Sequence, residues 1–222
     1  MELTEENLRS LVQQIVQECT QKDAPKDPDA IPIGISNHHI HLTQADFDCL
    51  FPGQKMEKFK QLKQPGEFAT KQTCDVIGPK GTLKHVRVLG PCRSHSQVEI
   101  ANSETFTLGV PAPIRLSGDL EGTPTVTLRT PDAEVQVQGV IVAKRHIHMS
   151  LADAKRFGVK MGDTVTVEVH SQQRRTIFND VIARPRKDFV TEMHLDTDEA
   201  SAANVKADTV AHIIPNIPSS FS

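Results

Sequence analysis

The sequence predicts a mainly β fold with two β-barrel domains related by an internal repeat, short capping α-helices and an N-terminal amphipathic helix. Strand-like runs separated by Gly and Pro occupy most of the chain after Ala30. Helical patterns in this part are short and lie near 43–51, 102–108, 150–157 and 197–204. The segment HIHLTQAD at 39–46 returns as HIHMSLAD at 146–153, about half of the chain later. Similarity over this distance indicates two copies of one β-unit.

The N-terminal segment 1–22 has the pattern of an amphipathic helix. Thr4 is a suitable N-cap residue, and apolar residues follow it at helical spacing. These apolar residues are Leu8, Leu11, Val12, Ile15, Val16 and Cys19. Residues 23–30, DAPKDPDA, contain two prolines and predict a polar linker. We expect the helix either to fold back onto its own domain or to place its apolar face in a groove of a partner protein.

The chain after the linker shows strand alternation and clear turn signals. Residues 74–90, CDVIGPKGTLKHVRVLG, contain two strand-like runs joined by a Gly-Pro-Lys-Gly turn. Valines at alternate positions from Val165 share one face of a later strand. Each copy of the repeat ends a strand with His-Ile-His and then begins a short helix, with Thr43 or Ser150 as the capping hydroxyl.

The composition excludes several classes of protein. Lys and Arg number 25 against 28 Asp and Glu, which gives a net charge of −3, and nine Phe are present without Trp or Tyr. The chain has no excess of positive charge and few aromatic side chains on which bases could stack, so we expect no nucleic-acid partner. No apolar run approaches the roughly 18 residues of a membrane span, so we expect no membrane partner. The four cysteines lack C-x-x-C spacing, which predicts reduced thiols in an intracellular protein.

Each His-Ile-His run places two imidazoles on one face of a strand, because residues i and i+2 project to the same side. His39 and His41 form one pair, and His146 and His148 form the other. A single pair of this kind is compatible with two solvated histidines, but its recurrence in the second copy favours metal binding. Imidazole nitrogens suit a borderline-soft metal such as zinc.

A catalytic zinc site usually needs a third protein ligand in addition to a histidine pair. His194 and Glu99 are the best candidates, because each lies between two apolar residues of a strand and faces away from them. Arg87 and Arg93 lie close to Glu99 in sequence, and arginines suit bidentate phosphate binding. Both arginines are also compatible with ordinary surface positions.

Several sequence blocks resemble the PduL-type phosphotransacylases, or phosphate propanoyltransferases, of bacterial microcompartments. They include IPIGISNHHIHLTQAD, QPGEFATKQT, SGDLEGTP and EMHLDTDEA, in family order between about 31 and 205. The resemblance implies reversible, zinc-dependent transfer of a short acyl group, acetyl or propanoyl, between coenzyme A (CoA) and phosphate. It also implies two zinc ions per chain. The implied first barrel joins residues 31–45 to 140–215, and residues 46–139 form the second barrel.

Positions that match the family motifs imply roles for individual residues. One zinc ion is implied on His39, His41 and Glu99, and the other on His146, His148 and His194. Contacts with CoA are implied for Ile35, Ser36, Asn37, Lys80 and Arg87. Arg93 matches the phosphate-binding arginine and would be the catalytic residue. The chain departs from the family at Ser201, where the family has a CoA-contacting Asn, and the nearest Asn here is Asn204.

The resemblance also bears on mechanism, partners and location. Direct attack of phosphate on the thioester is expected, since no serine or cysteine nucleophile is required. The N-terminal helix would act as an encapsulation peptide that docks on a shell protein, which places the enzyme in the lumen of a cytoplasmic microcompartment. We expect a homodimer or a larger homo-oligomer. Two other functions stay open: a zinc-dependent hydrolase of a thioester or acyl phosphate, and a shell-associated scaffold with structural zinc.

Overall fold

A computed structural model describes residues 27–215 of the chain and has the mainly β fold that the sequence predicts. The strands are β1 (Ile31–Ser36), β2 (His39–His41), β3 (Lys58–Gln61), β4 (Phe68–Ile77), β5 (Thr82–Gly90), β6 (Gln97–Ile100), β7 (Ile114–Arg115), β8 (Thr125–Arg129), β9 (Glu134–Gln138), β10 (Val140–Ala143), β11 (His146–Met149), β12 (Thr164–His170), β13 (Arg175–Pro185), β14 (Glu192–Asp196) and β15 (Val210–Ile214). The helices are α1 (Gln44–Leu50), α2 (Asn102–Leu108), α3 (Leu151–Phe157) and α4 (Thr197–Ala202). Within residues 27–215, no helix is long and apolar enough to cross a membrane. The predicted N-terminal helix, 1–22, and linker residues 23–26 lie outside the described residues.

The chain divides after Ala30 into a short N-terminal unit and a large unit that begins at Ile31. The large unit contains a closed barrel with the strand order β1-β14-β11-β13-β12-β15. Strand β1 pairs in parallel with β14 and antiparallel with β15, and these two pairings complete the barrel. Apolar side chains fill the barrel core, among them the fully buried Ile147, Val167 and Met193.

The second β-unit is a curled sheet of nine strands in the order β7-β10-β6-β2-β5-β4-β8-β9, with β3 paired to β4. It has its own core, which includes the fully buried Ile40, Val88 and Leu128. Strands β2 and β10 pair within this sheet, so residues 39–41 and 140–143 belong to it. The boundaries that the resemblance implied placed both strands with the first barrel. Strand β1 belongs to the barrel, and the chain then crosses to the sheet before β2.

Both copies of the repeat begin their helix with the same contacts. The capping hydroxyl of Thr43 or Ser150 accepts a hydrogen bond, at 3.1 or 3.0 Å, from the backbone amide of the aspartate three residues later. The side chain of that aspartate accepts a further hydrogen bond from a distant hydroxyl, which belongs to Ser96 in the first copy and Thr191 in the second. These hydroxyls directly precede β6 and β14. Each helix start is therefore fixed to the strand that neighbours the His-Ile-His strand.

The predicted Gly-Pro-Lys-Gly turn joins β4 to β5 and packs on the end of α2. Gly78 is required because a Cβ atom at this position would lie 2.2 Å from the carbonyl oxygen of Leu108. The amide of Lys80 donates to the same carbonyl at 3.0 Å. The Lys80 side chain lies against Gly109, where a Cβ atom would come within 2.5 Å of it. The turn therefore holds Lys80 beside the C-terminal end of α2.

Removal of either helix cap should reduce stability by a small, measurable amount. Thr43→Ala and Ser150→Ala should each lower the free energy of unfolding by about 1 kcal/mol, because helix amides lose their acceptor. Urea unfolding followed by circular dichroism measures this change. Thr107→Ala, at an exposed position of α2, is the matched control and should alter the free energy by less than about 0.5 kcal/mol. Wild-type stability in both cap variants would contradict the assigned role of these hydroxyls.

Candidate active site

Strand pairing brings the predicted metal-binding residues into two clusters. Antiparallel pairing of β2 with β6 sets His39 opposite Glu99, and pairing of β11 with β14 sets His146 opposite His194. The second histidine of each His-Ile-His run shares the strand face and joins the same cluster. We call His39, His41 and Glu99 the first cluster, and His146, His148 and His194 the second cluster. Within each cluster, the three ligand atoms lie within 4.8 Å of one another.

The first cluster combines a carboxylate with two imidazoles. The Nε2 atom of His39 lies 3.6 Å from one Glu99 oxygen, and Nε2 of His41 lies 4.0 Å from the other. His39 Nδ1 donates to the carbonyl of Asn37 at 2.8 Å, which turns Nε2 toward Glu99. Burial opposes ionisation of Glu99, but the neighbouring His39 holds the pKa of this carboxyl well below its usual value. Burial, followed by the proximity of His39 and Arg93, lowers the pKa of His41 well below its usual value.

The second cluster consists of three imidazoles. His146 Nδ1 donates to the carbonyl of Lys144 at 2.9 Å, an arrangement equivalent to that of His39 in the first copy. Burial, with the neighbouring histidines adding to it, lowers the pKa of His146 to about 3 and that of His148 to about 2. The imidazoles of His146 and His148 are therefore neutral at neutral pH, which is the form that binds metal ions.

Both clusters fit a divalent metal ion. Nδ1 of His41, Nδ1 of His148 and Nε2 of His194 are buried and make no hydrogen bond with any residue in the described range. A buried nitrogen without a partner is unfavourable, and a metal ion would satisfy each of these atoms. The first cluster offers two imidazoles and one carboxylate, and the second offers three imidazoles. Both are ligand sets typical of zinc.

A polar side chain precedes the third residue of each cluster by two positions. Gln97 donates hydrogen bonds to Glu99 at 2.5 Å and to Ser117 at 2.9 Å, so it fixes the orientation of the carboxylate. Glu192 has the equivalent position in the second copy and lies 3.3 Å from Nε2 of His194. The sequence analysis missed both residues. The available signal was their position two residues before Glu99 and His194, on the same strand face.

Both clusters line one cavity of about 830 Å³. The cationic side chains that line it are Lys60, Lys63, Arg87, Arg93, Arg184 and Arg186. The positions expected to contact CoA at Ile35–Asn37 and Arg87 line it too. Lys80, in the turn between β4 and β5, does not, and neither do Ser201 and Asn204. A cavity with this many cations suits an anionic substrate.

Arg93 and Arg186 have equivalent backbone contacts in the two copies. Each amide donates to the carbonyl of the residue that follows a His-Ile-His run, at 2.8 Å for Arg93 and 3.0 Å for Arg186. The Arg93 guanidinium donates to Ser117 and to Glu67, both at 2.9 Å, so two contacts fix its orientation. Sequence reasoning found Arg93 but missed Arg186 and its neighbour Arg184. The run ARPRK, which spans the end of β13, was the available signal.

One loop of the curled sheet contacts the barrel beside the cavity. Gln64 is buried, and its side-chain amide forms two hydrogen bonds with the backbone of Val190, at 3.0 and 3.2 Å. The adjacent Lys63 lies 3.2 Å from a carboxylate oxygen of Glu192. Glu67 of the same loop binds the arginine described above. The loop thus links cavity-lining groups of the two β-units.

Two clusters of residues that could each hold a metal ion, in one cation-lined cavity, are typical of an enzyme site for an anionic substrate. A family model described as phosphate propanoyltransferase matches residues 32–206. A phosphate propanoyltransferase of Levilactobacillus brevis is 68% identical over 96% of this chain and 99% of its own length. Proteins with the same name from Limosilactobacillus reuteri and Thermotoga maritima are 64% and 48% identical, over 91% and 85% of this chain and 92% and 90% of their own lengths. The chain belongs to the phosphate propanoyltransferase family, which confirms the resemblance and the phosphotransacylase class.

Proposed function

We propose that the chain converts a short acyl-CoA, acetyl-CoA or propanoyl-CoA, and phosphate to an acyl phosphate and CoA. Membership of the family supports acyl transfer between CoA and phosphate. The observation that carries the proposal is the shared cavity, in which two clusters of possible metal ligands and Arg93 face the same space. Both CoA and phosphate are anionic, and the cations of this cavity would attract them.

Zinc is the metal that we propose for both clusters, with one ion in each. His39, His41 and Glu99 would hold one ion, and the three histidines of the second cluster would hold the other. A zinc ion bound there would supply Lewis acidity to the thioester carbonyl or a soft ligand to the CoA thiolate. The donor set and the buried nitrogens without hydrogen bonds support this assignment.

Arg93 would bind the attacking phosphate. Its contacts with Ser117 and Glu67 fix the guanidinium before phosphate arrives, which favours an oriented attack. A phosphate oxygen then attacks the carbonyl carbon, the C–O bond forms, the C–S bond breaks and CoA leaves as the thiolate. The adjacent Cys92 is a poor alternative nucleophile, because burial raises the pKa of its thiol and it does not line the cavity.

CoA would lie along the cavity-lining residues at the end of β1 and in β5. Ile35–Asn37 end β1 at the cavity, and Arg87 lines it from β5. The Arg87 guanidinium lies 5.0 Å from the centre of the Phe59 ring and donates to the carbonyl of Thr70 at 2.7 Å, so it is held in place. Lys80 precedes β5, so a Lys80 contact would involve a part of CoA that extends beyond the cavity.

The decisive experiment follows release of free thiol from acetyl-CoA and propanoyl-CoA, with and without phosphate. The proposed transferase releases CoA only when phosphate is present and forms one acyl phosphate for each thiol. A zinc-dependent thioester hydrolase would release thiol without phosphate, and a scaffold with structural zinc would release none. Either of these results would reject the proposed reaction. The presence of Arg93 in addition to Arg87 favours the transferase over the thioester hydrolase, because a hydrolase would need a cation for CoA but none for the attacking water.

The two metal sites should be separable by mutation. His39→Ala or Glu99→Ala should reduce bound zinc from two ions per chain to about one, because one cluster loses a ligand. His148→Ala or His194→Ala should have the same effect through the other cluster. His95→Ala, outside both clusters, is the control and should keep two ions. Elemental analysis of the purified variants measures the zinc bound per chain. If a cluster variant still binds two zinc ions, its substituted residue is not a ligand.

Arg93→Ala should raise the KM for phosphate and reduce turnover without loss of zinc. Loss of a charge-assisted bidentate contact costs about 2–4 kcal/mol, or roughly 30- to 1,000-fold in rate. Arg93→Lys should recover only part of this loss, because an ammonium group lacks the planar fork. Arg87→Ala is the matched comparison and should raise the KM for CoA instead. Steady-state kinetics with each substrate varied in turn would show an unchanged KM for phosphate in Arg93→Ala if the assignment is wrong.

The N-terminal segment would dock on a shell protein and carry the enzyme into a bacterial microcompartment. We propose this from its apolar stripe and from the proline-containing linker that follows it. Deletion of residues 1–22 should leave turnover unchanged, and fusion of these residues to a fluorescent protein should direct fluorescence into assembled shells. Replacement of Leu8 and Ile15 by Asp in the fusion is the control and should give diffuse fluorescence. Diffuse fluorescence with the unaltered segment would contradict the docking role.

A further inference from the structure

A carboxylate lies on the arginine that would bind phosphate. The Nη2 atom of Arg93 donates to Oε1 of Glu67 at 2.9 Å, and its Nη1 atom donates to Ser117 at 2.9 Å. A guanidinium has five N–H groups, so these two contacts leave three of them for an anion. Glu67, Arg93 and Ser117 all line the cavity. A phosphate ion on Arg93 would therefore lie beside a second anion, the carboxylate of Glu67.

The planar guanidinium of Arg93 would bring the two anions close together. Acceptors on the two N–H groups of one such nitrogen lie about 5 Å apart, because each hydrogen bond is about 2.9 Å long. A further oxygen of the same tetrahedral anion spans part of this gap. Within residues 27–215, the Glu67 side chain accepts a hydrogen bond at Oε1 alone. Its Oε2 atom is therefore available to accept one from a bound ligand.

The backbone around Glu67 is fixed, which keeps its carboxylate at the anion site. The amide of Leu62 and the side-chain amide of Gln61 both donate to the Glu67 carbonyl, at 3.1 and 2.7 Å. The Glu67 amide donates to the carbonyl of Gln64 at 3.3 Å, and Gln64 is itself bound to the barrel through Val190. With its backbone held in this way, Glu67 stays within reach of an anion on the arginine.

The protonation state of an anion decides whether it fits beside a carboxylate. Inorganic phosphate retains at least one proton at neutral pH, so one of its oxygens can donate a hydrogen bond to Glu67. Sulfate is fully deprotonated and only accepts hydrogen bonds, so its oxygens would face the carboxylate as unpaired like charges. A site that hydrogen-bonds a substrate hydroxyl rejects an analogue without it, because the polar group of the site loses its partner.

We propose that Glu67 is a specificity-determining residue, which accepts a hydrogen bond from the protonated oxygen of phosphate and so discriminates against sulfate. This inference rests on the proposed function, in which Arg93 binds phosphate. Arg93 supplies the attraction that both anions share, and Glu67 supplies the difference between them. Because the protonated oxygen is held at Glu67, the deprotonated oxygens are left for the attack on the thioester.

Competition between the two anions tests the inference on the full chain with its bound metal. The measured quantity is the inhibition constant of sulfate, as a competitor of phosphate, divided by the KM for phosphate. This ratio should be at least about 10 in the wild type, and Glu67→Gln should lower it about tenfold, because an amide can donate to either anion. Glu67→Asp, which keeps the carboxylate, should retain part of the ratio. Glu57→Gln removes an exposed carboxylate outside this cavity and is the matched control, with the wild-type ratio.

A role of Glu67 in orienting Arg93 alone would give a different result. Ser117→Ala removes the other contact of Arg93 but keeps the carboxylate, so the affinities for phosphate and sulfate should fall together. Calorimetric titration with each anion measures this without turnover. Arsenate separates protonation from size, because it is larger than phosphate but also retains a proton at neutral pH. In Glu67→Gln, sulfate should gain affinity relative to both phosphate and arsenate.

The outcomes separate this inference from the proposed function. A wild-type enzyme that binds sulfate as tightly as phosphate, or an unchanged ratio in Glu67→Gln, would overturn the role of Glu67 and leave the transferase reaction intact. If Glu67→Gln fails to fold, Glu67→Ala decides in its place, with the same expected fall in the ratio. Unchanged affinity of Arg93→Ala for both anions would reject the phosphate site, and the inference with it.

Discussion

The register between each His-Ile-His strand and its antiparallel neighbour is the constraint on which the site depends. A slip of one residue would turn the histidines to the opposite face of the sheet and break both clusters. Ile40 and Ile147 oppose such a slip, because each is fully buried on the other face. Burial of an isoleucine side chain contributes about 1.5–3 kcal/mol, and a slip would forfeit it. The hydroxyl contacts of Ser96 and Thr191 add a polar restraint on the same strands.

The charges of the cavity link stability of the site to its ligands. Burial, together with the neighbouring Arg186 and Arg93, lowers the pKa of the half-buried Arg184. Arg93, Lys63 and Arg186 each pair with a carboxylate, and Lys60, Arg87 and Arg184 line the same cavity. An anion bound there would offset their repulsion, so substrate binding should stabilise the folded state as well as position the reactants. Sites that concentrate charge of one sign in this way are typically binding sites rather than structural ones.

The sequence pattern predicted which side chains share one face of a strand, because this depends on local geometry alone. It did not predict which strands pair with each other, because this depends on residues far apart in the chain. The histidine pairs, Glu99 and His194 were found because alternation along one strand shows which side chains share a face. The assignment of β2 and β10 to the curled sheet could not be predicted, because the sequence of a strand of three or four residues does not indicate which strands it pairs with. Glu192 is indistinguishable from a surface residue until pairing sets it opposite His148. The docking role of the N-terminal helix remains a prediction.

The two copies of the repeat share the same backbone contacts but have their carboxylates at different positions. Each has a capping hydroxyl, an anchored first histidine and, on the neighbouring strand, one carboxylate that lines the cavity, which is Glu99 in one copy and Glu192 in the other. Glu99 is held by a buried glutamine, whereas Glu192 is shared with a lysine on a loop. The two copies therefore differ in how firmly this carboxylate is held, although the backbone framework around it is the same.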